Sequence, residues 1–127
     1  ARRALKNLLA TENYVILVAE LKGVITGFIG YYVLPSIHEK WNEATINYLF
    51  VHKSYQSRGI GSKLLMEVVR RADEMGLGEV HVATEKNNQR AIRLYKKHGF
   101  VKEYLLLQRT RELEQFSFAR LRLDSFH

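Results

Sequence analysis

The apolar pattern changes period once, abruptly, in the middle of the chain, and that change limits the folds open to it. In residues 44–51, ATINYLFV, Ile46, Tyr48 and Phe50 alternate with Thr45, Asn47, Leu49 and Val51, the period of two that belongs to a strand. From Gly59 to about Met75 the spacing becomes helical: Ile60, Leu64, Leu65, Val68, Ala72 and Met75 share one face. Lys63, Glu67, Arg70, Arg71 and Glu74 fall mostly on the other. Gly76 and Gly78 stop this helix, and VHVAT, 80–84, returns to a strand. Two strands joined by a crossover helix run parallel with a right-handed connection.

The flanks read as hairpins and helices around that unit. Leu5, Leu8 and Leu9 carry helical spacing in residues 2–10, closed by Thr11-Glu12-Asn13. YVILVAE, 14–20, and the β-rich run 24–34 are joined by the compact turn Leu21-Lys22-Gly23, which predicts a hairpin. PSIHEKWN, 35–42, reads as a loop. A second helix is predicted from about Asn88 to Lys97, with Asn87 or Asn88 as N-cap and Gly99 as the stop. Ala91, Ile92, Leu94 and Tyr95 line its inner face, and FVKEYLLLQ and QFSFARLRL supply the last two strands. No repeat or linker divides the chain, so residues 1–127 are expected to form one domain of α/β (α+β) class. Its sheet is mixed, mostly antiparallel and twisted, of about six strands with helices on both faces.

Charge and composition narrow the partners. Twenty Lys and Arg against thirteen Asp and Glu leave a formal charge of +7, which favours an anionic partner. Without cysteine there is no disulfide, thiolate nucleophile or thiolate metal site, which fits a reducing cytoplasm. The longest uncharged run, residues 23–37, is shorter than the ~20 apolar residues that span a bilayer. ARRALKNLLATEN has no apolar signal core and no initiator Met, so the amino terminus is expected to be shortened.

The strand-to-helix junction carries the chemistry. QSRGIGSKLL, 56–65, places Gly59 and Gly61 where the helix begins. A helix start holds amide N–H groups without intrahelical partners and the positive end of the dipole, which together bind anions. Glycine lets backbone approach an oxygen with no Cβ between, and Arg58 and Lys63 add positive charge. The spacing is neither a Walker loop nor GxGxxG, and by itself this stretch could also be a plain tight turn.

A second constellation, NQRAIRLYKKHGF, 88–100, has the form N-x-x-A-x-x-L-Y-x-x-x-G-F. With Q-x-x-G-x-G at 56–61 and the strand INYLFV before it, the chain resembles the GNAT superfamily of N-acetyltransferases over roughly residues 14–123. The resemblance implies that strands 44–51 and 80–84 splay apart and that acetyl-CoA lies in the gap, its pantetheine paired with Leu49, Phe50 and Val51. It places the pyrophosphate on amides of Gln56, Ser57, Arg58, Gly59, Ile60, Gly61 and Ser62. Asn88 is expected to bond the pantetheine, Ala91 to belong to the same cofactor surface, and Lys97 to meet a CoA phosphate. Tyr95 is the implied general acid that protonates the departing thiolate; a core tyrosine is its structural alternative. No metal is expected.

The implied reaction is direct acetyl transfer to an amine, on a protein N-terminus, a lysine or a small molecule. Relatives often carry a glutamate base at the positions that read Asn47 and Ala83 here, so the base is unassigned among Glu43, Glu85, His38 and His81. That departure also supports an alternative, a CoA-binding module of the same fold with little catalysis. Tyr31, Tyr32 and Trp41 are candidates for the acceptor pocket or for sheet packing. Expected partners are acetyl-CoA and an amine acceptor, with no membrane; a homodimer is an allowed assembly. A nucleic-acid role ranks last, since no binding motif accompanies the basic charge.

Overall fold

The computed structural model describes residues 13–35 and 42–111. Four strands form one sheet in the order β1-β2-β3-β4: β1 Tyr14–Leu21, β2 Val24–Pro35, β3 Asn42–Val51 and β4 Glu79–Val82. Helix α1, Ile60–Glu74, crosses from β3 to β4, and helix α2, Gln89–Lys97, follows β4. The first two strands make the predicted hairpin, with Lys22 and Gly23 both at positive φ (51° and 80°) in the turn. β1, β2 and β3 pair antiparallel and β3 pairs β4 in parallel, the mixed sheet that the change of period requires.

One face of this sheet holds the core. Ile29, Ala44, Leu65 and Val68 are fully buried, and Tyr31, Ile46, Leu64 and Tyr95 complete the cluster. Val15 and Leu17 from β1, Val80 and Val82 from β4, and Ala91 and Leu94 from α2 pack around it. Both described helices therefore lie against the same face. On the outer side of α1, Glu67 pairs with Arg70 and Arg71, and Arg70 also with Glu74. Those guanidiniums hold the exposed Glu67 carboxyl down at about 2.

Four of the expected six or so strands fall among the described residues. Phe100 packs edge-on against Tyr95, with ring centroids 6.0 Å apart. Residues 101–111 pair with no strand among the described residues, and Val101, Tyr104, Leu105, Leu106 and Leu107 are each at least 70% exposed. β-rich composition describes side chains that suit a pleated surface, whereas a strand exists only where a neighbour completes its ladder. QFSFARLRL, the helical segment at 2–10 and most of the 35–42 loop lie outside the described residues.

Candidate active site

The parallel pair separates where the resemblance requires it. β3 and β4 are in register from Glu43 opposite Glu79 to Ile46 opposite Val82, and β4 ends there. β3 continues through Asn47, Tyr48, Leu49, Phe50 and Val51. Beyond Ile46 its β4-side edge has no strand partner among the described residues. An unpaired edge can take the amides of an extended ligand as an added strand.

The chain leaves β3 through a tethered loop. His52 N–H donates to Thr26 O at 2.7 Å, a 3₁₀ turn spans Lys53–Tyr55, and Gln56 Nε2 reaches back to Val51 O at 3.1 Å. The Arg58 guanidinium lies 5.3 Å from the centroid of the Tyr55 ring, which keeps its charge beside the loop. Ser57 and Gly59 adopt positive φ, 65° and 79°. At Gly59, the N-cap of α1, this left-handed backbone costs glycine nothing, and no side chain caps the helix.

The first helical turn is accordingly open. Lys63 N–H bonds Gly59 O at 3.0 Å as the first turn-spanning bond, so the amides of Ile60, Gly61 and Ser62 precede the intrahelical ladder. A Cβ on Gly61 would lie 3.7 Å from both Leu94 Cδ2 and Val51 Cγ2, ordinary contact distances. The fold itself would therefore tolerate an alanine there.

Helix α2 is capped and pinned to that loop. Asn88 is its N-cap, with Oδ1 accepting from Ala91 N–H at 3.1 Å. Of the two predicted candidates, Asn88 and not Asn87 takes this place. Arg90 donates to Ser57 Oγ at 3.1 Å and to Gln56 Oε1 at 3.4 Å. At the other end, Ser62 Oγ and His98 Nε2 share a hydrogen bond of 2.5 Å. Tyr95 is 9% exposed, and removal from water raises the pKa of its phenol.

Because the cap uses only the Oδ1 of Asn88, capping can be separated from the ligand contact that the resemblance implies. Asn88→Asp keeps a capping acceptor, whereas Asn88→Ala loses it and is expected to cost about 1 kcal/mol. Thermal unfolding reads the cap. A fall in acetyl-CoA affinity shared by both variants, against retained stability in Asn88→Asp, isolates the amide's contribution to binding.

The other candidate residues are spread over the fold. Tyr31 is buried on the helix-covered face and belongs to the core, not to an open pocket. Tyr32 stacks against Tyr14 on the opposite side of the sheet, ring centroids 6.5 Å apart, while Trp41 and His38 lie outside the described residues. Lys97 is exposed in the last turn of α2; the α2 cation joined to the loop is Arg90. His81 sits 2.9 Å from Glu79 and 3.8 Å from Glu43, at the paired start of β3 and β4 rather than at their separation. Sequence reasoning missed the specific bridging roles of Arg90 and His98. Their helical spacing alone does not reveal which loop they face.

This geometry has counterparts. Residues 2–100 match the model of the Acetyltransferase (GNAT) family. The L-amino acid N-acyltransferase MnaT of Escherichia coli K12 is 30% identical over 89 residues, covering 70% of this chain and 51% of that protein. The spermine/spermidine N(1)-acetyltransferase of Bacillus subtilis 168 is 29% identical over 82 residues, covering 62% of this chain and 54% of its own length. The chain thus spans about half the length of these curated relatives. Among solved structures, an aminoglycoside acetyltransferase from an uncultured soil metagenomic sample, in complex with trehalose, superposes with a TM-score of 0.76 at 28% identity. That match covers 89% of this chain and 74% of the other. No helix among the described residues is long and apolar enough to cross a membrane. With the family model running through the strand, the open helix start and the capped second helix alike, the chain belongs to the GNAT family of acetyltransferases.

Proposed function

We propose that this chain is a single acetyltransferase domain that moves the acetyl group of acetyl-CoA directly to an amine. The observation that carries this reading is the five-residue continuation of β3, Asn47–Val51, past the last β3–β4 pair and into the open start of α1. The residues present fit acetyl-CoA: an unpaired strand edge suits its amide-bearing arm, and uncapped amides at a helix N-terminus suit its phosphates. Acetyl-CoA supplies the acyl thioester.

The protein's own groups then have assignable tasks. Leu49, Phe50 and Val51 offer backbone to the pantetheine, and a β3 amide polarises the acetyl oxygen. Residues 56–62 hold the pyrophosphate through N–H groups, with Arg90 keeping Gln56 and Ser57 in place. Asn88, Ala91 and Lys97 complete the cofactor surface along α2. The Tyr95 phenol donates its proton to the departing sulfur. Relatives named for acting on amino acids, spermine and aminoglycosides make an amine the acceptor in kind.

A second reading, a CoA-binding module with little catalysis, draws on Asn47 and Ala83, neither of which can act as a carboxylate base. Two measurements separate these readings. Acetyl-CoA at about a hundred times its dissociation constant should stabilise the protein by about 2.7 kcal/mol. Labelled acetyl groups should then appear on at least one member of a panel of peptides and small amines. A melting temperature indifferent to acetyl-CoA sinks both readings; stabilisation without transfer to any amine leaves the binding module.

A further inference from the structure

The β2–β3 ladder slips at one point on the sheet face that the described helices leave uncovered. Gly30 lies opposite Tyr48 and Tyr31 opposite Ile46, which makes Asn47 an extra residue, a bulge. Bulges re-aim side chains. This one occurs at the first β3 residue beyond the last β3–β4 pair, at the head of the gap. Asn47 is exposed there.

Its amide is held by a residue two strands away. Tyr14, on β1, donates its hydroxyl proton to Asn47 Oδ1 at 2.6 Å, reaching across β2 to do so. The crossing passes over Gly30, where a Cβ would collide with the Tyr14 hydroxyl. Tyr32 stacks on the Tyr14 ring from the neighbouring strand. With Oδ1 engaged by Tyr14, the other end of the Asn47 amide is a pair of N–H donors directed away from it.

A donor pair at this point selects the acceptor's chemistry. It can hold a carboxylate or carbonyl oxygen, and it cannot accept a proton from an ammonium group. Among the described residues, the β3 and β4 carboxylates on this face, Glu43 and Glu79, cluster with His81. Glu43 is four residues back along β3, about 13 Å at strand spacing. A chain of net charge +7 adds nothing to attract a polycation.

We infer that Asn47, oriented by Tyr14, is the specificity-determining contact for the acceptor, and that the acceptor is a monoamine bearing a carboxylate, an amino acid rather than a polyamine. This rests on the acetyltransferase reading above. In it Asn47 is a binding group and Tyr14 a positioning residue.

The test compares L-methionine, L-methioninamide and spermine as acceptors for acetyl transfer from acetyl-CoA. L-Methionine should have the lowest KM. Because a hydrogen bond to a charged group is at stake, Asn47→Ala should raise its KM about ten-fold or more, with kcat changed much less. Tyr14→Phe should raise it about three-fold, since the amide stays but its orientation is loosened. Gly30→Ala displaces the Tyr14 hydroxyl without removing it and should reproduce that rise, and Asn47→Asp should reverse the preference toward the methioninamide.

Melting temperatures without ligand verify that each variant folds, and the acetyl-CoA shift reports the cofactor half of the site separately. Equal kcat/KM for methionine and its amide overturns the inference, as does an Asn47→Ala KM within two-fold of wild type. Transfer to none of the three with the acetyl-CoA shift intact also overturns it, and leaves the cofactor reading standing. Loss of that shift in the wild-type protein removes the acetyltransferase reading itself.

Discussion

Tyr95→Phe is expected to lower the rate of acetyl transfer at least a hundred-fold, the lower end of what a positioned proton donor contributes. Acetyl-CoA affinity should change little, because the ring and its edge-on contact with Phe100 remain. Burial raises the phenol's pKa above its ordinary value of 10. The proton is therefore in place throughout the neutral range, and the donor is lost only as pH climbs past 10. The same direction sets the linkage to folding. Stability from the neutral phenol is fully present below pH 10 and is lost as pH rises through the folded-state value. Single-turnover rates across pH check this. A Tyr95→Phe enzyme with wild-type rate and pH profile would show that the proton comes from elsewhere.

Gly27→Val should be the most damaging single change to the sheet beside the site. Gly27 is buried and lies opposite Val51 in the β2–β3 register. A Cβ there would stand 2.6 Å from the Phe50 carbonyl oxygen and 3.3 Å from Val51 Cα, both backbone atoms that cannot rotate away. The strands must separate instead, at a cost of about 3 kcal/mol, the upper part of the range for overpacking. For a domain of this size that corresponds to roughly 10 °C in melting temperature. Because the displaced residues carry the proposed pantetheine edge, acetyl-CoA affinity should fall in whatever folded fraction survives. Unfolding curves with and without acetyl-CoA measure both effects. A melting temperature within two degrees of wild type would mean that β3 yields there at little cost.

These outcomes divide along what short stretches of chain can encode. The period change at Gly59, the apolar stripe of α1, the Asn88 cap and the Lys22-Gly23 turn are local matters of side-chain spacing and backbone preference. All four stand in the structure as the sequence predicts. The Gln56–Gly61 and Asn88–Phe100 patterns likewise carry the family resemblance within short stretches. At FVKEYLLLQ composition suggests a strand, but no described residue pairs with it, and a strand needs a neighbour that its own side chains do not name.

The sequence by itself determined the β1–β2 hairpin and the order β3, α1, β4, α2, because helix periodicity, capping and positive-φ turns act within a few residues. Only the tertiary structure decided where β3 outlasts β4, that Asn47 is a bulge steered by Tyr14, and that Arg90 and His98 join α2 to the loop before α1 and to its first turn. Register, bulges and cross-element hydrogen bonds join residues distant along the chain, and no local pattern names the partner. A glycine such as Gly27 or Gly30 acquires its meaning from what lies across the sheet.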